Sequence, residues 1–169
     1  RGLGDVYKRQ DYSYDEFRSS TEALLISVFA GCKIAAAHMR KTGGGVILNA
    51  SSYSAVIPNA GRAPYSACKS AVSSLTRSFA AELAPDQIRV LAYVPGLIAT
   101  EITRDHIARN RDALLSAIPC RRFGRPEDLA KVLVFLSSDI AEYMNGTEVY
   151  ISGGKFCTQN PQYGWEHMV

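Results

Sequence analysis

A chain of 169 residues that is 47% hydrophobic and 21% charged has enough apolar side chain for one packed domain. A net charge of +3 gives no basis for a nucleic-acid partner, and Cys32, Cys68, Cys120 and Cys157 lack the C-x-x-C spacing of a redox or zinc motif. His38, His106 and His167 stand too far apart to read as a ligand set, so no metal is expected.

Residues 1–10 mix glycine, arginine, lysine and tyrosine without periodicity; they read as a non-native leader and are set aside. Gly2-Leu3-Gly4 is a poor start for a dinucleotide-binding turn, since Tyr7 occupies the third glycine position and no strand precedes it. Residues 11–41 predict one long helix, with Phe17, Leu24, Leu25, Val28, Cys32, Ala35, Ala36 and Met39 recurring mostly at three- and four-residue steps. No uninterrupted apolar run reaches the roughly 18 residues of a membrane span, and no signal peptide is read, so the expected compartment is the cytoplasm. Gly43-Gly44-Gly45 stops the helix. It precedes a strand rather than a helix, the reverse of the order that cradles phosphate.

Val46 to Ser51 predicts a short buried strand, followed by a loop carrying Pro58, Asn59 and Gly61. Pro64 then stands where proline begins a helix, and residues 65–83 continue it with many small side chains until Pro85-Asp86. Ile88 to Val94 reads as a second strand, stopped by Pro95-Gly96. Residues 99–122 are polar and irregular, with only weak helical periodicity. Gly124 to Asp128 feeds a helix that runs to about Ser137, Thr147 to Ser152 is a third strand closed by Gly153-Gly154, and residues 155–169 form a polar, loosely held tail. Helix and strand alternate as in a doubly wound α/β fold with a three-layer parallel sheet, whose ligands bind beyond the carboxyl ends of the strands. Ser51-Ser52, Tyr65 and Pro95-Gly96 all fall on that edge.

Tyr65 and Lys69 share one helix face. A free phenol has a pKa near 10, too high for a base at neutral pH. A neighbouring ammonium and the positive end of the helix dipole both favour phenolate, and each unit of lowering takes about 1.4 kcal/mol. Ser52 is placed to hydrogen-bond and orient a substrate oxygen. Taken alone, Tyr-x-x-x-Lys is equally a tyrosine packed beside a snorkelling lysine, with Ser52 in a turn.

The surroundings shift that balance. Val46 to Ser52, Tyr65-Ser66-Ala67-Cys68-Lys69, Ile88-Arg89-Val90 and Pro95-Gly96-Leu97-Ile98-Ala99-Thr100 resemble, in order and spacing, the short-chain dehydrogenase/reductase family. Arg122-Phe123-Gly124-Arg125-Pro126-Glu127 and Asn145-Gly146-Thr147 with Gly153-Gly154 extend the likeness over about residues 15–154. The resemblance implies a Rossmann-like domain over 11–154 and an NAD- or NADP-dependent exchange of an alcohol with a ketone or aldehyde. By it Tyr65 is the acid/base, Lys69 lowers the Tyr65 pKa and holds the nicotinamide ribose, and Ser52 orients the carbonyl. Pro95, Gly96, Ile98 and Thr100 line the nicotinamide end of the cofactor. The two long helices resemble the pair through which family members dimerise, so the resemblance alone implies a homodimer or tetramer of the full-length parent; their small residues equally suit packing against the sheet.

Three departures accompany it. The family's glycine-rich turn and Asn-Asn-Ala-Gly segment have no counterpart, so the first strands of the sheet are expected to be missing and the chain alone to be inactive. Leu24 stands where the family's helical asparagine anchors a water in its proton relay, and Leu91 replaces the asparagine usual after Arg89-Val90. A non-catalytic, pseudoenzyme role is therefore the alternative reading. A serine hydrolase built on Ser52 lacks both the G-x-S-x-G elbow and a placed histidine. Six arginines between Arg104 and Arg125 (Arg104, Arg109, Arg111, Arg121, Arg122, Arg125) face only Asp105 and Asp112; they read as a solvated basic stretch, with an anionic substrate as the rival reading. Cys68 reads as small apolar filler.

Overall fold

Ser13 opens the first helix with a capping box: its hydroxyl accepts the Glu16 amide at 3.2 Å, and the Glu16 carboxylate accepts the Ser13 amide at 2.9 Å. The computed structural model describes residues 12–167, so the stretch 1–10 lies outside the described residues. Helix α1 (Tyr14–Thr21), a π-helical turn (Glu22–Ile26) and α2 (Ser27–Thr42) follow as one rod. The expected uniform helix is thus corrected at its middle. The Ser27 amide reaches back five residues to the Glu22 carbonyl, and the surplus residue of such a turn rotates the two halves by about 100° relative to each other. Cys32 and Ala36 are accordingly buried while Phe17 stays 47% exposed. Gly43, at φ 89°, closes α2 by donating its amide to Met39.

A window of this rod has a mean hydropathy of 1.4, so by length and composition alone it is apolar enough to cross a membrane. Counting only uninterrupted runs missed that. Only part of that apolarity is used in packing: Val28, Ala35 and Met39 join Cys32 and Ala36 against the sheet, while Ile26, Phe29 and Ile34 stay exposed.

That sheet has three parallel strands in the order β1 (Gly45–Ala50), β2 (Ile88–Pro95), β3 (Glu148–Ile151). Ile47 lies opposite Val90, and Tyr93 opposite Val149. Period-two alternation sends Ile47, Ile88 and Val90 toward α2 and α3 (Ala63–Glu82). Val46, Leu48, Leu91 and Val149 face Leu136 from the opposite side. Three layers result, and all three strands end on one edge. Among the described residues β1 pairs on one side only, leaving its other edge free.

Two expectations change. Residues 99–122 contain a true helix, α4 (Arg104–Ser116), kinked at Asn110; its polar composition hides it from hydrophobic periodicity. The tail is anchored rather than loose. The Trp165 indole donates to the Pro119 carbonyl at 2.8 Å, the Phe156 ring lies 5.0 Å from that of Tyr53, and a short α6 (Tyr163–His167) forms. Helix α5 (Pro126–Ser137) matches its expectation.

Gly44 has a φ of 110°, and a Cβ there would lie 2.5 Å from the Gln87 carbonyl oxygen. Backbone on both sides of that contact cannot yield cheaply. Gly44→Ala is therefore expected to cost about 1–3 kcal/mol in urea denaturation, and an unchanged midpoint would refute this.

Candidate active site

Strand β1 leaves the sheet at Ala50, and α3 is fastened to that departure by a seam of polar bonds. Lys69 donates from Nζ to the Ala50 carbonyl at 2.8 Å. Ser51 and Ser73, both buried, share a hydroxyl bond of 2.7 Å. Asn49 donates from Nδ2 to Thr76 at 3.0 Å and accepts the Cys32 thiol at 3.4 Å, while Ser70 donates to the Ala55 carbonyl at 2.8 Å. Residues 69, 73 and 76 recur at helical steps of four and three, so one stripe of α3 presents all three groups to the strand.

Ser52 follows immediately. Its Oγ accepts the Ser54 amide at 3.1 Å and starts the turn Tyr53–Ala55, which leaves the hydroxyl proton to donate elsewhere. Tyr65 is half-buried in the first turn of α3, one residue after Pro64. The Lys69 ammonium lies 5.9 Å from the Tyr65 ring centre, and among the described residues the Tyr65 hydroxyl has no hydrogen-bond partner. Burial pushes the Lys69 pKa below the usual lysine value, with the charge of Cys68 acting weakly the other way. A cation so desolvated gains from any oxygen that approaches it. Cys68 itself packs inward, its thiol near the Ser20 carbonyl and Thr21 hydroxyl.

The second cluster lies beyond β2. Pro95 ends the strand, and the Gly96 amide donates to the Ile151 carbonyl at 2.9 Å. A Cβ on Gly96 would sit 2.6 Å from the Ser152 Cα, so only glycine allows these strand ends to approach. Ile98 forms an isolated parallel bridge to Gly124. Thr100 is exposed, with its Oγ1 3.3 Å from that of Thr103. A hollow opens here, bordered by Gly96 and Ile98 on one side and by Arg122, Gly124, Asp128 and Ser152 among others; it touches none of Ser52, Tyr65 and Lys69. The residues singled out from sequence therefore form two groups at the ends of neighbouring strands.

A link between them escaped sequence reading. Tyr53, next to Ser52, donates its hydroxyl to Ser152 at 3.1 Å, and its ring meets those of Tyr150 and Phe156 edge-on. The Ser51–Ser73 bond and the Arg122–Asp128 pair also went unread. The small polar residues at 69, 73 and 76 were the available signal for the first; Arg-Phe-Gly-Arg-Pro-Glu-Asp was the signal for the second. Arg122 holds Asp128 by two bonds of 2.6 and 3.1 Å, and Asp128 also accepts the Arg125 amide at 2.8 Å. These bonds lower the Asp128 pKa from 3.8 to about 2. Arg104 pairs with Glu101 and Arg109 with Asp105, so half the basic stretch is locally neutralised, as a solvated surface would be.

The chain belongs to the short-chain dehydrogenase/reductase family. A family model described as enoyl-(acyl carrier protein) reductase matches residues 6–155, a span that takes in part of the stretch 1–10 set aside above. A 7α-hydroxysteroid dehydrogenase of Clostridium sardiniense is 38% identical over 150 residues, which cover 88% of this chain and 57% of that protein. A short-chain type dehydrogenase/reductase from Mycobacterium marinum superposes with a TM-score of 0.83 at 34% identity, covering 94% of this chain and 63% of that one. A 4-hydroxyisoleucine dehydrogenase mutant complexed with NADH and succinate gives a TM-score of 0.86 at 28% identity, over 95% of this chain and 67% of that one. The chain thus spans about three fifths of its relatives' length.

Two outcomes follow from the geometry. Ser51→Ala strands the buried Ser73 hydroxyl and is expected to cost about 1–3 kcal/mol by denaturation, with part recovered in the double variant S51A/S73A. No loss in the single variant would show the bond to be idle. Asp128, with its pKa depressed in the folded chain, lends stability above the ordinary carboxylate range and loses it as pH falls through about 2. Carbon-13 titration is expected to find the Asp128 carboxyl near that value, returning toward 3.8 in R122A; a common pKa in both proteins would refute the pairing.

Proposed function

We propose that this chain carries the proton-transfer part of an NAD(P)-dependent oxidoreductase that interconverts an alcohol with a ketone or aldehyde. The observation that carries the reading is the bond from Lys69 to the Ala50 carbonyl, which ties the helix of Tyr65 to the strand end that leads into Ser52. For a carbonyl substrate, the Ser52 hydroxyl donates to the substrate oxygen and fixes its direction. Tyr65 gives its proton to the same oxygen as the alcohol forms, and the Lys69 cation stabilises the phenolate left behind. In the reverse direction that phenolate takes the alcohol proton.

The donor set suits one end of a nicotinamide dinucleotide. Lys69 and Tyr65 offer groups for ribose hydroxyls, and the side-chain-free Gly96 admits close approach beside Pro95, Ile98 and Thr100. When bound, the nicotinamide supplies or accepts the hydride. Among the described residues no glycine-rich turn feeds a helix N-terminus, so these residues offer no cradle for the pyrophosphate. The names of the relatives, hydroxysteroid and hydroxyisoleucine dehydrogenases, favour a hydroxyl-bearing substrate. The exposed apolar residues Ile26, Phe29 and Ile34 along the rod favour a dimer or tetramer joined through it.

One residue favours a second, non-catalytic reading. Leu24 lies inside the π-helical turn with a side chain that neither donates nor accepts a hydrogen bond. A single chimera tests both readings: the matched segment of this chain replaces its counterpart in the Clostridium sardiniense enzyme, assayed by NAD(P)H absorbance with a 7α-hydroxysteroid. Tyr65→Phe is expected to lower kcat by about 10²–10⁴. A folded chimera without activity, or one indifferent to Y65F, overturns the proposal. Turnover that appears only with L24N would establish the silent reading instead.

A further inference from the structure

The Arg122–Asp128 pair does no work in the chemistry above, yet it holds the turn against which the loop after β2 is built. Asp128 binds both ends of that turn, the Arg122 guanidinium and the Arg125 amide. Arg122 also donates to the Phe123 carbonyl at 3.2 Å. Gly124, enclosed between them, bonds the loop twice: its amide donates to the Leu97 carbonyl at 3.0 Å, and its carbonyl accepts the Ala99 amide at 2.8 Å. Thr103 grips the same loop from the other side, donating to the Ile98 carbonyl at 2.7 Å. Ile98 is thereby fixed by hydrogen bonds before and after it. Its side chain lies so close that a Cβ on Gly124 would fall 2.5 Å from the Ile98 Cδ1.

We propose that Arg122 and Asp128 are positioning residues: they hold Gly124 as a short rail that sets the place of Ile98 and its neighbours against the bound nicotinamide. This rests on the reading of Pro95 to Thr100 as the nicotinamide wall. Both side chains also border the hollow beside Gly96, apart from Ser52, Tyr65 and Lys69. Their guanidinium–carboxylate fork is bidentate, so it fixes direction as well as distance, which a single lysine contact would not. The gap at Gly124 makes the rail selective, since a methyl there displaces the movable end of Ile98 and leaves the backbone bonds in place.

Amide hydrogen exchange on the chain itself reads the rail without any cofactor. Arg122→Ala is expected to accelerate exchange at Ala99 and Gly124 by about three- to fivefold, with Val90 and Leu91 unchanged and R122K in between. Unchanged exchange at Ala99, or an equal rise at Val90, overturns the rail. In the chimera, Arg122→Ala is expected to raise the cofactor KM while kcat stays within about twofold. Gly124→Ala, which displaces the Ile98 side chain, is expected to raise the same KM while exchange at Ala99 and Gly124 stays unchanged, a split that general destabilisation would not give. Faster exchange at Ala99 with an unaltered KM would overturn the positioning role and, with it, the cofactor reading of the loop, while leaving Tyr65 chemistry untouched.

Discussion

Lys69 reaches across from helix to strand, and the rest of the candidate site is arranged around that reach. Its ammonium spends one donor on the Ala50 carbonyl, the last of β1, and is held half out of water by the packing of α3. A half-buried cation that meets a carbonyl and an aromatic ring but no acid is only partly compensated, because those groups offer dipoles and not a charge. The Tyr65 ring stands one helical turn away and Ser52 two residues along the strand exit. The buried serine pair and the Asn49–Thr76 bond keep this separation from relaxing, since each would strand a polar atom if the helix slid. Polar side chains in the seam thus set a position that apolar packing alone would leave loose.

How much of this was open to a reader of the sequence depended on the range of each interaction. Alternation of apolar runs and glycine or proline stops gave the strand and helix order, because those signals act within a few residues. Tyr65 and Lys69 were legible for the same reason, lying one turn apart. The π-helical turn was not, since one surplus residue leaves no compositional trace. Helix α4 was obscured because a helix polar on most sides has no stripe to count. Ser51 and Ser73, 22 residues apart, and Tyr53 and Ser152, 99 apart, meet only after the sheet has formed. Such pairs belong to topology.

Charge is handled locally throughout the chain. Arg40 meets Asp86 and Arg77 meets Glu148, while Arg89 turns inward to the carbonyls of Leu136, Ser138 and Met144. The last of these ties β2 to the end of α5 from beneath, without an acid. Among the described residues, these guanidinium groups are thus engaged in joining elements.

The anchoring of the tail reaches further than its few contacts imply. Trp165 is bonded to Pro119, whose ring lies against Gly154, and Pro119 adjoins Cys120 in the lining of the hollow beside Gly96. Phe156 leans on Tyr53, the residue after Ser52. A pull on α6 would thus reach the hollow beside Gly96, and one on Phe156 the turn after Ser52, making residues 156–167 a mechanical handle on both groups.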